Sequence, residues 1–136
     1  MDGIVTSLFG YRINPVTMQP EFHNGIDIAA DEGTPVLAVR CAVVLHTGYS
    51  RLNGYYMRLR CEEGYQVVFA HLSEILAEVN QHVSQGDVVA LSGNTGQSTG
   101  PHLHYGLSRD GQRLDPLYRV YGLPLSYNAQ REYASR

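Results

Sequence analysis

The stretch that decides the fold is GYYMRLRCEEGYQVVFAHL, residues 54–72. From Met57 to Cys61, apolar residues alternate with arginines, which is the two-residue period of a strand with one buried face. Glu-Glu-Gly at 62–64 predicts a turn, and the apolar run Tyr65–Ala70 predicts a returning strand that ends at His71. The stretch therefore predicts a β-hairpin and, with it, an antiparallel sheet.

Segments on both sides of this hairpin extend the same pattern. Strands are predicted within GTPVLAVRCAVVLHTG (33–48), QGDVVALSG (85–93) and residues 102–107. Asp-Gly predicts a further hairpin turn within 109–116. The fold expected from the residues is a mainly antiparallel β domain.

One short helix is expected among these strands. The segment SEILAEVNQHV, residues 73–83, has Ser73 as a candidate N-cap. Ile75, Leu76 and Val79 have the spacing of one apolar helix side.

The composition is that of one globular domain. With 136 residues, 43% of them hydrophobic and 17% charged, the chain can bury a core without disulfides or metal. A formal net charge of −3 and the lack of a lysine or arginine cluster give no basis for binding nucleic acid or a membrane surface. No apolar run approaches the ~20 residues that span a bilayer.

The start of the chain and its cysteines bear on where the protein works. MDGIVTSLFG lacks a basic segment followed by an apolar stretch, so it does not predict a signal peptide. The chain would then stay inside the cell, leave it by another route, or be a domain of a longer protein. Cys41 and Cys61 match no metal-site spacing, and the sequence leaves open whether they form a disulfide or remain thiols.

Two histidines lie close together in STGPHLHY, residues 98–105. Alternation along a strand would place His102 and His104 on one face, with Cα atoms about 6–7 Å apart, and Leu103 on the other face. Two partly exposed strand histidines would give the same pattern, so the pair alone does not define a site.

A second cluster, FHNGID at 22–27, separates His23 from Asp27 by three residues. In a straight strand their Cα atoms would be roughly 13 Å apart, which is too far for both side chains to share an ion. A bend at Asn24-Gly25 would bring them together, because Asn-Gly favours turns. A loop histidine with a turn or capping aspartate is the alternative interpretation.

Together, the two clusters predict a metal site. His23, Asp27 and either His102 or His104 would supply three nitrogen and oxygen ligands and leave a fourth position for water, as in catalytic zinc sites. The remaining histidine of the pair and His71 would lie beside the metal as groups that transfer protons or stabilise an oxyanion. The other two histidines are interpreted as ordinary surface residues: His46 and His82.

These segments resemble the lysostaphin-type zinc endopeptidases, the family that includes LytM and the glycyl-glycine endopeptidases of bacterial cell walls. The resemblance runs in order through FGYRINP (9–15), FHNGIDIAA (22–30), GTPVLA (33–38), FAHLS (69–73), QGDVVALSGNTG (85–96), STGPHLHY (98–105) and LDPLY (114–118). It implies a single metallopeptidase domain over 1–136, with a core at about 8–118. The tail at about 119–136 becomes polar toward its end and is expected to be loosely held. The implied fold is a twisted antiparallel sheet of the duplicated-hybrid-motif kind, with the zinc in a groove.

By position, the resemblance implies that His23, Asp27 and His104 bind one zinc ion per chain and that His71 and His102 are catalytic. Zinc would polarise the scissile carbonyl and lower the pKa of its water, while the two histidines take the proton and steady the oxyanion. The substrate would be a cross-bridge or stem peptide of peptidoglycan, met by a monomer outside the cell or facing the cell wall. Either a Gly-Gly bond or a D-Ala or diaminopimelate linkage remains open as the bond cleaved.

The alternative function is that of a binding module. Some members of this family have lost zinc ligands and serve to bind cell walls or to activate other hydrolases. All five positions are occupied by the required residue types here, which favours an enzyme. Three departures from the family pattern lie outside those positions and bear on the groove and its support rather than on activity: Gly106, Ala42 and Cys61.

Overall fold

The computed structural model describes residues 4–13, 17–23 and 25–116. Twelve strands lie along this part of the chain, and their pairings are all antiparallel, which confirms the predicted fold class. A 3₁₀ turn, Glu62–Gly64, connects the strands Gly54–Arg60 and Tyr65–Ile75. The strands are β1 (Ile4–Ser7), β2 (Gly10–Ile13), β3 (Pro20–His23), β4 (Gly25–Ala29), β5 (Pro35–Leu37), β6 (Ala42–Ser50), β7 (Gly54–Arg60), β8 (Tyr65–Ile75), β9 (His82–Val83), β10 (Val88–Ser92), β11 (His102–Arg109) and β12 (Gln112–Leu114).

Ten of these strands form one sheet. Its order is β1-β4-β11-β8-β7-β6-β9, with β10 paired to β5 and β8 and with β12 paired to β11. The hairpin of β2 and β3 forms a two-stranded sheet of its own. The strands that carry Asp27, the histidine pair and His71 are therefore neighbours in the order β4, β11, β8.

The predicted hairpin over 54–72 is formed by β7 and β8. The side chains of Met57, Leu59 and Cys61 are buried and the intervening arginines are exposed, as the alternation predicted. Glu62–Gly64 makes the turn. The second predicted turn is confirmed as well, since Asp110 and Gly111 both have positive φ between β11 and β12.

The prediction that the returning strand ends at His71 is wrong, because β8 continues to Ile75. The pairing register between β7 and β8 shifts between Tyr55↔Leu72 and Met57↔Phe69. Two residues of β8 thus lie opposite one residue of β7, which is a β-bulge. His71 lies in this bulge with φ at 62°, a left-handed backbone conformation. The strand continues beyond the bulge to Ile75.

The predicted helix over 73–83 is also wrong. Its first three residues belong to β8, and the backbone N–H of Leu76 donates to the carbonyl of Val89 at 2.9 Å. The hydroxyl of Ser73 donates to the carbonyl of Ser92 at 2.9 Å, a cross-strand bond in place of the expected N-cap. Leu76 is 45% exposed, so the apolar spacing that suggested a helix does not mark a buried face.

The core side of β11 is opposite to the side that carries its histidines. Leu103, Tyr105 and Leu107 occupy alternate positions and are at most 2% exposed. They pack in one cluster with the buried residues of β4, β7 and β8. His102 and His104 lie on the other face and are partly exposed, so the predicted alternation within STGPHLHY is confirmed.

Three further expectations concern the C-terminal tail, membrane-spanning segments and the cysteines. The predicted loose tail, 119–136, lies outside the described residues. Within those residues, no helix has the length and apolar character needed to cross a membrane. Cys41 is exposed and Cys61 is buried, and both are free thiols in this structure.

Candidate metal centre and active site

Asp27 and His104 are brought together by sheet register. They lie directly opposite each other in the β4–β11 pair, and Oδ1 of Asp27 is 3.2 Å from Nδ1 of His104. Gly25 permits this pairing, because a Cβ at that position would collide with the carbonyl oxygen of Tyr105. The glycine that the sequence offered as a bend residue is thus also required for the close approach of the two strands.

His23 reaches the same carboxylate from the β2–β3 hairpin. β3 ends at His23 in the two-stranded sheet, and β4 begins at Gly25 in the ten-stranded sheet. Nε2 of His23 is 3.3 Å from Oδ1 of Asp27. Nδ1 of His23 lies 2.9 Å from the carbonyl oxygen of Leu8, and since a carbonyl only accepts, Nδ1 carries a proton. In the neutral ring, Nε2 then has the lone pair that a metal would use, and in the protonated ring it donates to Asp27.

The three side chains fit a metal ion. One ligand atom from each of His23, Asp27 and His104 lies within 4.8 Å of the others. Ligands about 2.0–2.1 Å from a tetrahedral zinc ion would be separated by roughly 3.3–3.4 Å. The nitrogens of His104 and His23 lie 3.2 and 3.3 Å from Oδ1 of Asp27, close to this separation between zinc ligands. Two imidazoles and a carboxylate are also ligands that zinc accepts.

Asp27 is held in its charged form. Burial opposes ionisation and by itself raises the pKa of this carboxyl. The hydrogen bonds from His104 and His23, with the positive charge those rings can carry, outweigh burial and hold the pKa well below its usual range. Asp27 therefore provides a carboxylate over the whole neutral pH range.

His102 lies beside this group and is fixed by its own loop. Nδ1 of His102 donates to the carbonyl of Gly100 at 2.8 Å, with Oγ of Ser98 at 3.1 Å. Nε2 is consequently the unprotonated nitrogen of the neutral ring, and it lies 3.7 Å from Oδ1 of Asp27. His102 pairs with Ala29 across the two strands β4 and β11.

His71 completes the group from β8. Its ring centroid is 4.8 Å from that of His102 and 6.3 Å from that of His104. Nδ1 of His71 donates to the carbonyl of Thr95 at 2.7 Å. Burial lowers the pKa of His71, and the neighbouring imidazoles act in the same direction against the bond to Thr95, so the ring is neutral near pH 7.

The structure brings all five predicted site residues into one cluster and leaves the other two histidines outside it. His46 and His82 are exposed, and His46 bonds to the hydroxyl of Tyr56 at 2.9 Å. Sequence reasoning missed the carbonyl groups that set the three histidine tautomers. These belong to Leu8, Thr95 and Gly100, and no sequence signal could have identified them because every residue type has a backbone carbonyl.

Comparisons with known proteins agree with this geometry. The sequence profile of Peptidase family M23 matches residues 21–116. Peptidoglycan DD-endopeptidase ShyA of Vibrio cholerae is 41% identical over 106 residues, which cover 78% of this chain and 25% of that protein. The chain spans only 22–26% of the length of curated relatives such as this one.

Two solved structures share the fold. A zinc-containing peptidase from Vibrio cholerae superposes with a TM-score of 0.76 at 33% identity, covering 81% of this chain and 34% of that chain. The catalytic domain of lysostaphin from Staphylococcus simulans superposes with a TM-score of 0.75 at 26% identity, covering 85% of this chain and 90% of that chain. The resemblance found in the sequence is confirmed, and this chain belongs to Peptidase family M23.

Proposed function

We propose that this chain is a zinc-dependent endopeptidase domain that hydrolyses peptide bonds in bacterial cell-wall peptidoglycan. The observation that carries the proposal is the convergence of His23 and His104 on one carboxylate oxygen of Asp27, at 3.3 and 3.2 Å. Family membership and the names of the relatives support it. The alternative, a catalytically silent binding module, is not favoured because all five positions are intact.

His23, Asp27 and His104 would hold one zinc ion per chain. Bound there, zinc supplies Lewis-acid chemistry that activates a water molecule and polarises the scissile carbonyl. Three protein ligands leave one tetrahedral position open, which is the arrangement of catalytic rather than structural zinc sites. The hydrogen bond of His23 to Leu8 orients the ring and keeps its lone pair on the side of Asp27.

His71 and His102 would handle the protons of the reaction. Each holds its Nδ1 proton against a backbone carbonyl, so each neutral ring can accept a second proton at Nε2. One ring would take the proton of the attacking water as the new C–O bond forms, and it would return that proton to the leaving amine as the C–N bond breaks. The other, after taking up a second proton from solvent at Nε2, would donate a hydrogen bond to the tetrahedral oxyanion.

The names of the relatives support a substrate class. ShyA is named a peptidoglycan DD-endopeptidase, and it is more similar in sequence to this chain than lysostaphin is. We therefore assign the cleaved bond to the class between two D-configured residues rather than to a glycine cross-bridge. The domain would act as a monomer on the cell-wall side of the membrane.

The test is digestion of purified cell walls by zinc-loaded protein, with mass spectrometry of the released peptides. Walls whose cross-links are D,D-peptide bonds should yield separated stem peptides, whereas glycine cross-bridges should stay intact. His46→Ala, outside the site, is the matched control and should digest normally, and Asp27→Ala should be inactive. Cleavage of glycine bridges alone would overturn the bond assignment, and no release from any wall type would overturn the proposed function.

A further inference from the structure

His71 is held in a conformation that the strand alone does not provide. Its φ of 62° is in the left-handed region, which side chains other than glycine rarely adopt. Its backbone N–H donates to the carbonyl of Asn53 at 2.8 Å, a residue in the turn between β6 and β7. Such outliers persist only where the surrounding structure enforces them, and they concentrate at functional sites.

Thr95 contacts both strands at one end of this bulge. Its Oγ1 donates to the carbonyl of Leu72 at 2.6 Å and accepts from the backbone N–H of Tyr55 at 3.2 Å. Leu72 follows His71 in β8, and Tyr55 is paired with Leu72 across the sheet. The Thr95 carbonyl in turn accepts the Nδ1 proton of His71 at 2.7 Å. One residue thus binds both strands through its side chain and the imidazole through its backbone.

Two glycines allow Thr95 to lie this close. A Cβ at Gly54, whose φ is 63°, would overlap Thr95, and a Cβ at Gly96, whose φ is 76°, would overlap the backbone of Gly54. The N–H of Gln97 also donates to the carbonyl of Leu52 at 3.0 Å. This bond joins the loop after β10 to the turn between β6 and β7. The Thr95 hydroxyl contributes two hydrogen bonds to this packing, with Leu72 and with Tyr55.

We propose that Thr95 is a positioning residue for His71: its hydroxyl fixes the loop so that its own carbonyl holds His71 with Nδ1 protonated and Nε2 free. The inference rests on the proposed function, in which His71 uses Nε2 to accept or donate a proton. Without the hydroxyl, the carbonyl is no longer held against the ring, and the ring can rotate or exchange its proton between the two nitrogens. Thr95 itself does not reach the reacting atoms in this account.

The test compares Thr95→Val, which has nearly the same shape but no hydroxyl, with Thr95→Ser, which keeps the hydroxyl. Thr34→Val is the matched control, because buried Thr34 also donates to a carbonyl, that of Asp31 at 2.6 Å, and bonds to none of the five site residues. Zinc content, kcat and KM are measured on each. Long-range ¹H–¹⁵N spectra of the imidazoles, assigned with His71→Ala, report the His71 tautomer independently of activity.

Thr95→Val should bind stoichiometric zinc and keep its KM, while kcat falls by about 10- to 100-fold. The His71 signals should change from the Nδ1–H tautomer to a mixture. Thr95→Ser should restore both properties, and Thr34→Val should alter neither. If Thr95→Val does not fold, Thr95→Ala takes its place, because it buries no methyl group against the two freed polar groups.

The inference is overturned if the valine variant keeps both the Nδ1–H tautomer and the kcat of the Thr34→Val control, or if serine fails to rescue. A wild-type protein without activity on any cell wall would instead overturn the proposed function. In that case the tautomer comparison alone would still decide whether Thr95 positions His71.

Discussion

Oδ1 of Asp27 lies 3.2 Å from Nδ1 of His104, across a strand pair in which the two residues are direct partners. This relationship makes metal binding sensitive to either side chain. His23→Ala, Asp27→Ala and His104→Ala should each lose stoichiometric zinc, because two remaining ligands hold the ion far more weakly than three. Elemental analysis after dialysis measures the effect. His82→Ala, an exposed histidine outside the site, should keep one zinc per chain, and full zinc in any of the three variants would refute the ligand assignment.

The histidine pair should separate into two functions. His102→Ala should keep its zinc and lose activity by about 10²- to 10⁴-fold, the usual effect of removing an acid–base group, and His71→Ala should behave in the same way. His104→Ala should lose zinc and activity together. Zinc content and cell-wall lysis, measured side by side for each variant, test this. If His102→Ala lost the metal while His104→Ala kept it, the two roles would be exchanged.

Leu103, between these histidines, should matter for stability alone. It is fully buried, so Leu103→Ala should lower the free energy of unfolding by about 2–5 kcal/mol. Leu52→Ala, at a position 59% exposed, should change it by no more than about 0.5 kcal/mol. Urea denaturation of both variants gives the comparison. Equal stability of the two would contradict the assignment of Leu103 to the core.

The two cysteines should differ strongly in reactivity. Burial, the principal cause, raises the pKa of Cys61 to about 11, so about one thiol in a thousand is ionised at pH 8. Cys41 is exposed and should react first with iodoacetamide in the native protein. Mass spectrometry of peptides after timed alkylation measures both rates, and the Cys41→Ala variant shows the slow thiol alone. Two thiols should be counted in the unreduced, denatured protein. Rapid labelling of Cys61 in the native protein would contradict its burial.

The sequence predicted most of the sheet because its strands have a regular period. Alternation from Met57 to Cys61 corresponds to the observed buried and exposed faces, and the histidine pair lies on one face of β11 as expected. The same reasoning failed over 73–83, where short apolar spacings suit a helix and irregular strand edges equally well. Tertiary hydrogen bonds, such as that from Leu76 to Val89, decided in favour of the sheet.

The site was predictable in its residues but not in its support. Chemistry and the family resemblance identified the five side chains, since imidazoles and a carboxylate are required for the reaction. The bulge at His71, the contact of Thr95 with both strands and the orienting carbonyls depend on long-range backbone geometry. No local pattern around residue 95 indicates that its carbonyl meets a ring 24 positions earlier in the chain.

The hairpin of β2 and β3 has a consequence for how the molecule would respond to its metal. His23 ends that separate hairpin, whereas Asp27 and His104 belong to the ten-stranded sheet. An ion held by all three would brace one sheet against the other, and by mass action the free energy of detaching the hairpin would rise with zinc concentration as RT ln(1 + [Zn]/Kd). Amide hydrogen exchange over Gly10–Ile13 should then slow as zinc is added, while exchange in the β6–β7 hairpin stays constant. Hydrogen exchange in the β2–β3 sheet would therefore report metal occupancy without any substrate.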